Sequence, residues 1–197
     1  TPLAATPLGM VGVGAADAAL RSAGRAKEIE DLDPSDVGVD ALTGDARAEL
    51  ESLASHPRVV AIGETGLDLY WPGKLDGCAD PATQREAFAW HIDLAKRTGK
   101  PLMIHNRDAD AEVLDVLAAE GAPETVIFHC FSSGPQMARR CLDAGWVLSL
   151  SGTVTFSNAR ELRDAAALIP PGQLLVETDA PFLTPHPFRG APNEPYC

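Results

Sequence analysis

Five short runs of apolar, strand-forming residues recur along this chain, at 59–64, 101–105, 125–130, 146–150 and 174–179. Between them lie amphipathic stretches of roughly ten to sixteen residues, helix-length connections rather than hairpin turns. Strands joined this way pair in parallel, and a parallel sheet is covered on both faces, which suits runs such as VVAIG and PLMIH. The spacing predicts helices over 83–98, with Phe88, Ile92 and Ala95 on one face and Gly99 ending it, and over 110–120, 135–144 and 158–168. A helix over 45–55 follows Thr43 as a possible N-cap and carries Ala46, Leu50 and Leu53 inward. Further upstream, 8–13 and 37–39 read as short strands and 15–30 as an Ala-rich helix. No linker interrupts the alternation, so residues 1–197 read as a single α/β domain.

Composition excludes several classes of function. A chain of 197 residues, 45% hydrophobic and 22% charged, can bury a real core. Its net charge of −12 and the absence of any Lys/Arg block exclude a basic nucleic-acid-binding surface, although a metal ion can supply the positive charge that a phosphate needs. The four cysteines (Cys78, Cys130, Cys141, Cys197) form no CxxC pair, which fits a reducing compartment. No run is long enough to span a membrane, and residues 1–14 lack the basic start of a signal peptide, so the expectation is a cytoplasmic protein. Thr1 in place of a methionine, and a Pro-rich stretch ending at Cys197, read as a chain incomplete at both ends.

The ends of the strand-forming runs carry the chemistry. Glu64, His105, His129 and Asp179 lie at or next to the ends of four of them. In a parallel βα fold the C-terminal ends of the strands open on one face, where catalytic residues gather. Two imidazoles and two carboxylates make a hard-to-borderline donor set suited to Zn²⁺, Mn²⁺ or Mg²⁺. Taken singly, each has an ordinary structural alternative: a hydrogen-bonded histidine, a helix-capping glutamate, an aspartate in an Asx turn. Their coincidence on four of the five strands points to a metal site. His56, before a proline, and His91, in mid-helix, read as structural or surface residues, and His186 stays open. Cys130 reads as a packing residue, since no base is evident beside it.

Five segments carry a family resemblance: GETGLD (63–68), PLMIHNRDA (101–109), VIFHCFSS (126–133), LSLSGTVTF (148–156) and LLVETDAPFLTPHPFRGAPNEPY (174–196). From about residue 43 onward the chain resembles the TatD-related metal-dependent deoxyribonucleases of the amidohydrolase superfamily. The resemblance implies a TIM-type (β/α)8 barrel, with strands four to eight clear, strands two and three doubtful and strand one absent. It also implies a divalent-metal site and hydrolysis of phosphodiester bonds in DNA. Glu64 resembles the carboxylate that bridges two metals, and His105 and His129 resemble the imidazoles of one subsite. Asp179 resembles the aspartate that binds the other metal and deprotonates the attacking water. Glu64 and Asp179 are thus the catalytic candidates. Arg107, with Asp108 beside it, and Arg189 are candidate substrate contacts; Arg189 could equally be a surface guanidinium. Ser132 and Ser133 extend the third motif.

The chain departs from the family pattern in lacking any His-x-His, and has no histidine before His56. The subsite that would use that pair keeps only Glu64 and Asp179, so at most one of the family's two metals is expected here. Three readings follow: a metal-dependent nuclease with DNA as substrate, an inactive remnant of one, or a metal-dependent deacylase on the same scaffold.

Overall fold

The computed structural model describes residues 10–11, 44–74 and 78–194. The expected N-terminal helix over 15–30, the strand at 37–39 and the Thr43 cap lie outside the described residues, as do most of 8–13. The chain divides into two compact units, residues 1–125 and 126–197, and each is taken by itself.

In the first unit three parallel strands, β1 (Met10–Val11), β2 (Ala61–Asp68) and β3 (Leu102–Arg107), lie side by side in chain order. The helices are α1 (Gly44–Ala54), α2 (Pro81–Thr98) and α3 (Asp110–Glu120). Helix α2 begins where Asp80 accepts hydrogen bonds from the backbone N–H groups of Ala82 and Thr83, with Pro81 at the first helical position, where no N–H is needed. It ends at Gly99, which takes the left-handed conformation (φ 65°) that a side chain disfavours. Its Phe88, Ile92 and Ala95 are fully buried, as the spacing predicts, in a core shared with Ile62, Leu67, Leu102, Ile104 and Val113. Side chains of this kind each contribute about 1.5–3 kcal/mol when buried.

Two expectations need correction here. Strand β2 does not stop at Glu64; it continues to Asp68, and its pairing with β3 shifts register between Ile62 and Thr65. Strand β3 likewise runs two residues past His105. The glycines at 63 and 66 keep the backbone extended and close to β3 through a stretch that composition alone reads as a turn. Val60, expected inside, is 53% exposed, because the chain is paired only from Ala61 onward.

The second unit pairs β4 (Val126–Phe128), β5 (Val147–Leu150) and β6 (Leu174–Val176) in parallel, with registers Phe128↔Leu148 and Leu148↔Leu174. Helix α4 (Pro135–Asp143) buries Met137, Ala138 and Cys141, and the shorter α5 (Arg160–Ala166) buries Leu162 and Ala165. Phe128 packs against Phe131 and Trp146. The strand at 174–179 is shorter and more exposed than its composition predicts: Val176 is 80% exposed, since β6 is paired to β5 and followed by irregular chain from Glu177. Among the described residues no helix is long and apolar enough to cross a membrane.

His91 in α2 is structural. It is fully buried; its Nδ1–H donates to the Ala87 carbonyl at 2.8 Å, and its Nε2 has no partner among the described residues. Burial pushes its pKa down from 6.5 to about 4. Between those values the unfolded chain takes up a proton that the folded chain refuses. Stability is therefore expected to be complete above pH 6.5 and to fall as pH drops toward 4, by up to ~3 kcal/mol. Urea unfolding at pH 7 and pH 4.5 checks this, with the His91→Leu protein expected to lose that part of the slope.

Candidate metal centre

In the first unit, Glu64 and His105 project from neighbouring strands and meet: Nδ1 of His105 lies 2.7 Å from Oε1 of Glu64. The other ring nitrogen, Nε2, lies 3.3 Å from Oδ2 of Asp68 at the end of β2. One imidazole is thus bracketed by two carboxylates. Burial works against charge on His105, but hydrogen bonds to Asp68 and Glu64 outweigh it and raise its pKa to about 9. Asp68 is held below the usual carboxylate range: burial raises its pKa, but bonds from His105 and the N–H groups of Trp71 and Tyr70 prevail.

Asp68 is also a structural hub. Its Oδ1 accepts from Tyr70 N (2.8 Å) and Trp71 N (3.1 Å), setting the loop that leaves β2. Its backbone is clamped from both sides by the Gln84 side-chain amide, at 2.7 and 3.0 Å.

The second unit repeats the pattern. His129, the residue after β4, places Nδ1 at 2.6 Å from Oε2 of Glu177 and Nε2 at 3.5 Å from Oδ1 of Asp179. Oε1 of Glu177 accepts a 2.6 Å bond from the Cys130 backbone N–H. Burial opposes charge on Glu177, yet the bonds from His129 and Cys130 keep its pKa low. The carboxylate therefore fixes Nδ1 as the donor nitrogen of His129 and turns Nε2 toward Asp179, as carboxylates do behind metal-binding histidines. The Cys130 thiol lies 3.0 Å from the Ser151 hydroxyl.

Thus Glu64 and His105 are brought together, as are His129 and Asp179. Sequence reasoning missed Asp68 and Glu177. Both stand inside the quoted motifs, GETGLD and LLVETD, and alternation along an extended chain places Glu177 and Asp179 on one side, a signal that was there to use. The donor chemistry, imidazole with carboxylate in each half, fits a hard-to-borderline divalent ion. The donors stand in hydrogen-bond contact with each other, and among the described residues no three are arranged to hold an ion.

The candidate substrate contacts have definite places. Arg107 lies over the Tyr70 ring, 4.3 Å from its centroid. Asp108 follows β3 with a positive φ of 54°. Arg189 is exposed, stacks 3.9 Å over Phe156 and donates to the Thr184 carbonyl. Phe156 lines an open cleft of about 560 Å³ with Ser132, Thr153, Asn158 and Arg160. His186 lies edge-on to the same ring, and its backbone N–H donates to the Thr155 hydroxyl. His56 is exposed and accepts the Arg58 N–H, a local turn contact.

Comparison with known proteins agrees with the motifs. The family model for TatD related DNase matches residues 27–197. A Mycobacterium tuberculosis protein named uncharacterized metal-dependent hydrolase TatD is 77% identical over 158 residues, 80% of this chain and 60% of that protein. A Cronobacter turicensis protein named 3'-5' ssDNA/RNA exonuclease TatD is 39% identical, over 77% of this chain and 58% of its own length. The crystal structure of YJJV, a TatD homolog from Escherichia coli K12, superimposes with a TM-score of 0.70 at 31% identity, over 80% of this chain and 60% of that one. The chain therefore spans about 60% of the length of these relatives. The α/β class and the TatD-type barrel strands expected from the sequence are what these likenesses show. By its family model and its relatives, the chain belongs to the TatD-related DNase family.

Proposed function

We propose that this chain is the metallohydrolase domain of a metal-dependent nuclease that cleaves phosphodiester bonds in DNA, with Glu64, His105, His129 and Asp179 as metal ligands. The observation that supports it most is that each of the two histidines is held between two carboxylates, a donor set that can exchange a proton for a divalent cation. A divalent ion, Mg²⁺, Mn²⁺ or Zn²⁺, supplies Lewis-acid polarisation of a phosphoryl oxygen and a lowered pKa for water when bound.

The chain's own residues do the rest. Glu177 holds the Nδ1–H of His129, so that Nε2 is the nitrogen available as a donor. Asp68 steadies His105 from the side opposite Glu64. Asp179, about one-third exposed, is the carboxylate assigned here to accept the proton of the attacking water. Arg107 and Arg189 carry positive charge suited to the substrate's phosphates in a chain that is otherwise strongly acidic. The name of the Cronobacter relative, an exonuclease on single-stranded DNA and RNA, agrees with this substrate class.

The test is release of nucleotides from a single-stranded oligodeoxynucleotide. It is expected with Mn²⁺ or Mg²⁺, to stop on chelation and to resume when metal is restored. Metal-dependent cleavage of acylated amines or esters in place of DNA would move the chain to the deacylase reading. Binding of metal with no cleavage of either would make it an inactive relative.

A further inference from the structure

The loop leaving β2 carries an aromatic pair for which the metal ligands have no use. Tyr70 and Trp71 meet edge to face with centroids 4.8 Å apart, and Trp71 keeps 36% of its surface exposed. Two cations converge on them. Arg107 lies 4.3 Å from the Tyr70 centroid and 5.1 Å from that of Trp71, and Lys74 Nζ lies 3.6 Å from Tyr70. In a chain of net charge −12 this places positive charge and open aromatic surface together, next to Asp68 and His105.

The loop is rigidly tied to the candidate centre. Asp68 bonds the N–H groups of Tyr70 and Trp71 with one oxygen and contacts the His105 ring with the other. The N–H of Leu69 donates to the Arg107 carbonyl at 2.9 Å, and Gln84 fixes the Asp68 backbone. The aromatic pair is thus held at a set distance from Glu64 and His105 before any ligand arrives, the condition under which a contact surface adds affinity without an ordering cost. A cation–π clamp alone would not need an exposed indole, since such contacts are weak at exposed sites.

We infer that Tyr70 and Trp71, flanked by Lys74 and Arg107, form a stacking platform that seats a nucleobase of single-stranded nucleic acid beside the phosphodiester to be cleaved, an inference that rests on the nuclease reading above. The indole offers a flat face to a base of any identity, and the two cations meet the adjoining phosphates. The platform therefore governs how tightly a strand is held and leaves the bond-breaking groups unchanged.

The experiment compares a thymidine decamer with the same backbone made abasic, following kcat and KM separately in Mn²⁺. The normal chain is expected to prefer the base-bearing strand by roughly tenfold, chiefly through KM, in line with what one base–aromatic stack contributes. In Trp71→Ala that preference collapses toward one, in Trp71→Phe most of it returns, and in Trp90→Phe, a control packed against Leu50 and Val59, it is retained. Circular dichroism confirms that each variant is folded. A preference that persists in folded Trp71→Ala, or is missing from the normal chain, overturns the platform. If the normal chain cleaves neither strand, the nuclease reading falls by itself, and quenching of tryptophan emission by the thymidine decamer then decides the platform. Quenching that disappears in Trp71→Phe supports it, and no quenching in the normal chain overturns it.

Discussion

His129→Ala is expected to lower metal-dependent turnover by roughly a thousandfold, the equivalent of ~4 kcal/mol of transition-state stabilisation lost with a metal ligand. Glu177→Ala is expected to cost about 10–100-fold, the usual effect of removing the carboxylate behind a metal-binding histidine. The contrast matters more than either number. Glu177 acts through its neighbours: it accepts the Nδ1–H of His129 and the N–H of Cys130, both at 2.6 Å. Without it the imidazole can rotate or change tautomer, and the Cys130 N–H loses its acceptor. Glu177→Gln is expected to rescue little, because an amide has one acceptor oxygen where the site needs two, and the NH₂ would face a donor. Metal titration with kinetics on the normal chain and these three variants checks this. Metal affinity should fall in the order normal, Glu177 variants, His129→Ala, while the affinity of the normal chain declines at acid pH as its ligands take up protons. Equal metal affinity in Glu177→Ala and the normal chain would remove Glu177 from the account.

Gly66→Ala is expected to destabilise the first unit by roughly 3 kcal/mol, combining backbone strain with overpacking. Gly66 has φ +145°, a conformation that side chains rarely adopt, and a Cβ there would run into the backbone of His105 on the adjacent strand. The extra carbon cannot be absorbed by moving a flexible side chain, because what it meets is the peptide carbonyl of β3. The register of Gly66 opposite His105 is also what sets Glu64 against the imidazole. Two readouts are therefore expected to change together: the urea midpoint, and any metal binding that depends on Glu64 and His105. By contrast Gly73→Ala, also at a positive φ but with open space around it, should cost only its backbone strain, about 1–2 kcal/mol, and leave metal binding alone.

The features legible in the sequence were those set by periodicity and by residue chemistry. Helix α2 was readable because Phe88, Ile92 and Ala95 repeat at helical spacing ahead of a glycine, whereas its start at Pro81 behind the capping Asp80 came from the structure. Glu64 and His105, 41 residues apart, were brought together by the parallel-sheet reading alone. What escaped notice depended on local backbone geometry. Around Glu64, β2 passes through Gly63, Thr65 and Gly66, a composition that reads as a turn until the close approach to β3 is seen. Each of Asp68 and Glu177 is one acid among 28; alternation with Asp179 points to Glu177, whereas for Asp68 only three-dimensional proximity tells a carboxylate beside a histidine from one in solvent. The Tyr70–Trp71 pair was invisible for a similar reason. In sequence it is two aromatics in a loop, and its meaning comes from Arg107, 36 residues later, folding over it.

The carboxylate-bracketed histidines are proposed as the divalent-metal ligands. Calorimetric titration of the metal-free chain with Mn²⁺ and with Zn²⁺ addresses this most directly, alongside His105→Ala, His129→Ala and His91→Leu. Binding by the normal chain is expected, with loss of at least tenfold in affinity for each of the first two variants, and no change for His91→Leu, whose ring is buried in α2 and bonds the Ala87 carbonyl. Binding that is unaffected by removing His105 and His129, or no binding at all by the folded normal chain, would contradict this proposal.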